Sequence, residues 1–230
     1  MMSSLSENSF RQYDVYLKRW FHFCNENNYD LYNVSVPQII YFLNNLFDAG
    51  TTYGTLNSCR SAIALLMGNN IGEDERVKRF FRGVFRLRPS LPKYSVTWDA
   101  SIVISHLRQL YPHDMISLEN ISKKLVTLLA LLTAHRVQTL SKINIKNIEK
   151  FATKVTIKIP DFLKTTRHGS LQPILVLPFF EEQPEICPVK TLLTYLEKTD
   201  ALRNNNEYLF ISFRPPHKAV SSQTLSRWVK

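Results

Sequence analysis

Arg136 is the residue best placed to do chemistry, one position beyond the apolar run Leu128-Leu129-Ala130-Leu131-Leu132-Thr133-Ala134 and His135. Leu125, Leu128, Leu129 and Leu132 recur at the i, i+3, i+4, i+7 spacing of a buried helical face, so the arginine is expected to emerge from the interior. An unpaired guanidinium there is costly. Its planar fork suits a carboxylate or a phosphate, so the two readings are an internal salt bridge and a site for an anionic ligand. A second cluster lies upstream. Between Arg76 and Lys93 stand seven basic residues (Arg76, Lys78, Arg79, Arg82, Arg86, Arg88 and Lys93) and no acidic one. At helical spacing Arg76, Lys78, Arg79, Arg82 and Arg86 share one arc, while Val77, Phe80, Phe81, Val84, Phe85 and Leu87 share the other. An all-basic arc beside a packed apolar arc favours phosphate contact over a merely solubilising surface. A basic helix lying on a membrane surface is the rival, and it weakens if the apolar arc packs on other helices. The third group is Lys164, Arg167 and His168, on the polar segment Asp161 to Ser170. A charged tip between two strands is commonly an ordinary turn, but it can also reach into a groove or an active site.

Composition agrees with an anionic partner. Twenty-nine Lys and Arg against nineteen Asp and Glu give a formal charge of +10 over 230 residues. Such a chain favours nucleic acid or an anionic membrane face. No apolar run approaches the roughly 20 residues of a membrane helix. Met1 to Ser9 is polar and lacks the apolar region of a signal peptide. Cys24, Cys59 and Cys187 are odd in number and form no Cys-Xaa-Xaa-Cys pair, which points to a reduced, intracellular protein without a zinc site. The six histidines have no metal-ligand spacing either, so neither metal nor cofactor is expected.

The elements that must hold these residues can be read in order. Phe10 to Asn25 carries Tyr13, Tyr16, Leu17, Trp20, Phe21 and Cys24 on one helical face. Ser35-Val36-Pro37-Gln38 reads as a capping box opening a helix that stops at Gly50. A third helix runs through Leu56, Cys59, Ile63 and Leu66 to Gly68, and the basic helix spans about Glu73 to Leu87. Arg88-Pro89-Ser90-Leu91-Pro92-Lys93 is a proline-stiffened linker. The predicted organisation is a helical domain over 8–88, a linker over 89–98 and a second domain over 99–230. In the second, Thr97-Trp98-Asp99 caps a helix through Ile102, Ile104, Leu107 and Leu110, and a helix over 118–134 delivers Arg136. Strands are expected around Ile143 to Ile148, over 155–159 and over 171–177, with Pro173 tolerable only at an edge or bulge. Pro188 to Arg203 reads as a helix, Tyr208 to Ile211 as a buried strand, and Gln223 to Lys230 as a last helix capped by Ser221 or Ser222.

This order of elements resembles the tyrosine recombinases, in particular the recombinase-type integrases of eukaryotic mobile elements. Thr133-Ala134-His135-Arg136-Val137-Gln138-Thr139-Leu140 is similar to the first catalytic box of that family, commonly Thr-Gly-Xaa-Arg-Xaa-Xaa-Glu-Leu. Lys164 before Thr165, with Leu175-Val176-Leu177-Pro178 after it, is similar to the hairpin lysine and its following strand. Residues 8–88, including Arg60-Ser61-Ala62-Ile63 and Val77-Lys78-Arg79-Phe80, resemble the core-binding domain. The resemblance implies a mainly α fold with a small antiparallel sheet: a helical, SAM-like core-binding domain and a partial α+β catalytic domain. It implies a double-stranded DNA partner, with assembly into a homo-oligomer on DNA left open, no membrane, and a nuclear location in a eukaryote. Arg136 would clamp a scissile phosphate and Lys164 would act as general acid. Arg167, His168, the basic helix, Arg88 and Lys93 would contact phosphates as two domains close around the duplex. Ala134 and Thr139 depart from the pattern where Gly and Glu are usual. The later His-Xaa-Xaa-Arg box and the nucleophilic tyrosine are not found, and Tyr195 and Tyr208 come too early and read as core or near-core. Inactivity of the chain by itself is therefore expected. The alternative is a non-catalytic DNA-binding or adaptor protein derived from a mobile element.

Overall fold

The computed structural model describes residues 5–68, 71–91, 94–96, 98–161, 163, 166, 169 and 171–229. The chain divides into two compact units, Met1–Thr97 and Trp98–Lys230. Of the functional residues expected from the sequence, Lys93, Lys164, Arg167 and His168 lie outside the described residues.

Unit 1 has four helices among its described residues: α1 (Glu7–Glu26), α2 (Val36–Asp48), α3 (Tyr53–Met67) and α4 (Glu75–Leu87). Each begins at a residue that satisfies orphan amides or fixes the entry. Ser6, Thr52 and Asp74 side chains accept from N–H groups of the first turns, and Gln38 Oε1 accepts from the Ser35 N–H at 2.8 Å. Gly68, at φ +60°, ends α3 in the left-handed conformation that costs glycine little. Trp20, Cys24, Leu43, Leu56, Cys59, Ile63 and Val77 are fully enclosed in one core. Trp20 meets Phe42 edge-on at 5.1 Å, and Phe23 packs on Phe42 at 4.9 Å. Phe23, not Phe21, is the third buried residue of α1, because it stands three positions after Trp20 while Phe21 is turned outward. The apolar arc of α4 is likewise narrower than expected: Val77, Phe81 and Val84 are buried, whereas Phe85 and Leu87 are exposed.

Unit 2 contains α5 (Ala100–Gln109), α6 (Leu118–Thr133), the short α7 (Val137–Leu140), strands β1 (Ile148–Lys150), β2 (Lys154–Lys158) and β3 (Ile174–Pro178), α8 (Pro188–Thr199) and α9 (Ser222–Trp228). The strands form an antiparallel sheet in the order β1-β2-β3. Val155 lies opposite Leu177 and Ile157 opposite Leu175, and all four enter the core with Ile121, Leu125, Leu129, Leu192 and Tyr195. Fold class is thus as expected, mainly helical with a small antiparallel sheet.

Several local expectations are corrected. Of Ile143, Ile145 and Ile148 only the last is in a strand; Ile145–Asn147 is a 3₁₀ turn, and the Ile143 carbonyl accepts from Leu209 N–H at 2.8 Å. β3 begins at Ile174, leaving Pro173 outside the ladder and Leu171 98% exposed. The helix from Pro188 stops at Thr199 and tightens into a 3₁₀ turn over Asp200–Leu202. Tyr208 to Ile211 forms only isolated bridges, Asn144 with Tyr208 and Ile211 with Ala219. On α5, Ile102 faces outward, and on α6 so does Leu132. Tyr195 is core as expected, but Tyr208 is exposed.

Candidate nucleic-acid interface

The backbone around Arg136 is fixed from both sides. At the end of α6, Thr133 Oγ1 donates to Leu129 O at 2.7 Å, and Ala134 adopts φ +50° while its N–H bonds Ala130 O at 3.0 Å. This is a left-handed helix stop made with alanine where glycine would be unstrained. His135 sets its Nδ1 2.8 Å from Thr133 O. Arg136 is then extended (φ −63°, ψ 143°), and its carbonyl accepts from the N–H groups of Thr139 at 2.8 Å and Leu140 at 3.2 Å. The arginine therefore caps α7 with its carbonyl and leaves its side chain exposed. No carboxylate pairs with it among the described residues, so the internal salt bridge is not what this position makes there. Expected emergence from the interior is corrected to an exposed guanidinium on a rigid turn.

Strands β2 and β3 pair antiparallel on either side of the sequence segment that contains Lys164, Arg167 and His168. Those three side chains lie outside the described residues, but their flanks are organised. Thr166 Oγ1 accepts from Leu163 N–H at 2.9 Å and donates to Gln172 Oε1 at 3.1 Å. Asp161 stands 3.9 Å from Lys142 Nζ.

On α4 the basic side chains divide by partner. Arg76 folds back on Asp74, with Nη2 at 2.7 Å and Nε at 3.1 Å, and this guanidinium holds the Asp74 carboxyl down at about 2. Lys78 pairs with Glu73 and Glu75, both at 3.2 Å, and Arg82 with Glu75 at 3.3 Å. The arc is thus less purely cationic than its sequence, because three acids just upstream reach along the helix. These pairs reach into solvent and are screened by it, so a phosphate can displace them. Arg79 and Arg86 make no ion pair among the described residues. Arg88 is structural. It lies 4.2 Å over the Phe47 ring and donates to Phe47 O at 3.2 Å and Thr51 O at 3.1 Å, capping the end of α2.

Arg60, on α3, is a candidate that sequence reasoning does not single out as a site residue. It lies 5.2 Å over the Phe81 ring. It lines a cleft of about 400 Å³ with Tyr53, Lys78, Phe81, Arg82, Phe85 and Arg86. Its signal in the sequence is faint: it is the only charged residue of α3.

Two cations of unit 2, Arg203 and Lys124, are buried and structural. Arg203 donates to Tyr208 O at 2.7 Å, Leu209 O at 2.9 Å and Thr199 Oγ1 at 2.7 Å. Lys124 is buried with Leu110 O as its acceptor at 2.5 Å, and burial pulls its pKa down to about 8. His113 sits 3.1 Å from Thr191 Oγ1, and burial, with Lys124 nearby, lowers it to about 4. Cys24, Cys59 and Cys187 are free and buried, and burial pushes Cys59 up to about 12. Among the described residues no group of three or more His, Cys, Asp or Glu could hold a metal, and no helix is long and apolar enough to cross a membrane.

Solved structures of lambda integrase share this fold. A dimer of its 75–356 segment bound to a COC′ core site matches with a TM-score of 0.51 and 16% identity, over 98% of this chain and 70% of that one. A lambda integrase tetramer bound to a Holliday junction matches with a TM-score of 0.51 and 16% identity, over 98% of this chain. The present chain spans 57% of the tetramer's subunit. No protein-family model and no curated protein sequence matches the chain. The shared property is the fold: helices around a small antiparallel sheet, as in lambda integrase.

Proposed function

We propose that the protein binds double-stranded DNA as a tyrosine recombinase-like protein. The observation that carries this reading is the Arg136 turn: an exposed guanidinium, without a described partner, on a backbone pinned by hydrogen bonds on both sides, within a lambda-integrase fold. An exposed guanidinium on a fixed backbone is a ready clamp for the non-bridging oxygens of a phosphate. Arg79 and Arg86, with the exchangeable cations Lys78 and Arg82, supply backbone contacts. The exposed pair Arg76–Asp74 is a weaker contributor, and Arg88 acts through α2. We take the order of elements along the chain as the support for the eukaryotic mobile-element type, and with it for a nuclear place of action.

In strand transfer of this class a tyrosine oxygen attacks phosphorus, a 3′-phosphotyrosine forms, and the bond to the 5′ oxygen breaks. Arg136 would hold the charge that builds on the phosphate. Lys164 would give its proton to the departing 5′ oxygen, and Arg167, His168 and Lys93 would contact neighbouring phosphates. We read these 230 residues by themselves as binding without cleaving. Tyr195 is unsuited to attack, since its hydroxyl is buried and accepts from Ile211 N–H at 3.1 Å.

The test is duplex affinity against salt. Each phosphate contact contributes about −0.9 to the slope of log K against log salt, so the Arg79→Gln, Arg86→Gln double variant is expected to flatten the slope by about 2. The absence of any salt-dependent binding to duplex would reject DNA binding, and relaxation of supercoiled plasmid would reject the inactivity. An Arg136→Ala protein that keeps its cellular role would favour the non-catalytic adaptor.

A further inference from the structure

The cleft between α3 and α4 has a composition that backbone contact does not require. A duplex offers phosphates to a protein surface, and cations suffice to bind them. Here cations ring an aromatic floor. Tyr53 meets Phe81 edge-on at 5.5 Å and Phe85 at 5.9 Å, so one ring packs against both phenylalanines. Phe81 is covered by Arg60, but Phe85 is 50% exposed on a helix whose other core-facing residues, Val77, Phe81 and Val84, are buried. Leaving a phenylalanine half in water forgoes hydrophobic stabilisation that the fold takes elsewhere. At about 400 Å³ the cleft is within the range of small-molecule sites and has room for one base. Exposed aromatics among arginines are the combination that binds unpaired bases, the ring stacking and the flanking phosphates pairing.

We propose that this cleft seats the base of an unpaired nucleotide, with the base against Phe85 and Tyr53 and its phosphates on Arg60, Arg82 and Arg86. The proposal rests on the DNA-binding reading and adds to it a preference for DNA with an extrahelical base. Glu75, which holds Arg82 at 3.3 Å, would release it to the phosphate.

The test compares a perfect duplex with the same duplex carrying a single-nucleotide bulge, by fluorescence anisotropy at several salt concentrations. The bulged duplex is expected to bind about fivefold or more tightly, and Phe85→Ala to bring the two affinities together. Equal, salt-dependent affinities for both duplexes would overturn the base seat and leave the DNA-binding reading standing. A preference that survives Phe85→Ala would also overturn the seat. No salt-dependent binding to either duplex would overturn both.

Discussion

Arg136 and Arg203 stand in similar sequence settings and have opposite fates. Each follows a leucine-rich helix of unit 2 by a few residues, α6 for Arg136 and α8 for Arg203. After Arg203 the chain turns back within a few residues, so that the carbonyls of Tyr208 and Leu209 meet the guanidinium, which is 6% exposed. After Arg136 the chain winds into α7, whose amides bond the arginine's carbonyl and leave its side chain in solvent. A guanidinium near the core is therefore structural when the following chain offers it acceptors. It is available to a ligand when the following chain uses only its backbone.

The largest effect expected from this contrast is on stability. Arg203→Ala would leave the buried Leu209 carbonyl and the partly buried Tyr208 carbonyl unpaired and a void beside Tyr195, and should cost about 3 kcal/mol in denaturant unfolding. Arg136→Ala should stay within about 0.5 kcal/mol of the parent. A comparable loss at both positions would erase the distinction between them.

Two buried titratable groups, Lys124 and His113, test the same contrast through pH. Lys124 has its pKa lowered from 10.5 to about 8 in the fold, so below pH 8 it is charged in both states and its burial opposes folding in full. Between about 8 and 10.5 the unfolded chain binds the extra proton, so stability should rise with pH across that window. Lys124→Met should remove the rise and gain about 1 kcal/mol at neutral pH. His113 has the same sign in acid: lowered from 6.5 to about 4, it stays neutral while the unfolded chain protonates, so stability should fall as pH drops from 6.5 to 4. His113→Gln should flatten that fall. Unfolding midpoints that do not move in either window would refute the structural role assigned to these groups.

The smallest effect concerns how Arg136 is held. Ala134 sits at φ +50°, where a Cβ is strained. Ala134→Gly should raise stability by a few tenths to about 1 kcal/mol in thermal unfolding, with the Arg136 turn retained. A loss of stability would mean that the alanine methyl makes contacts that outweigh the strain.

Much of the helical scaffold is legible in the sequence because it rests on local rules. The stops at Gly50 and Gly68, the caps at Asp99 and Ser221, and the course of α6 follow from spacing and capping chemistry within one or two turns. Errors cluster where the decision is not local. Phe85, Leu132 and Ile102 have helical spacing suited to burial and are exposed, because burial depends on whether another element arrives to cover them. Tyr208 to Ile211 has strand composition but finds only single bridges. The basic arc of α4 is legible as charge, while its partial pairing is not, since Glu73 and Glu75 lie outside the arc and reach it through long side chains.

Residue type and period set the identity and order of the parts: basic charge on one helix, an arginine after an apolar helix, a hairpin with a polar tip. Both act over a few neighbours, so a single chain read end to end carries them. Which arginines keep free donors was settled only by folding. Arg203 and Arg88 meet backbone carbonyls, Arg60 joins an aromatic floor, and Arg136 faces water. Hydrogen bonds at about 3 Å depend on where distant segments return, and no local pattern encodes that.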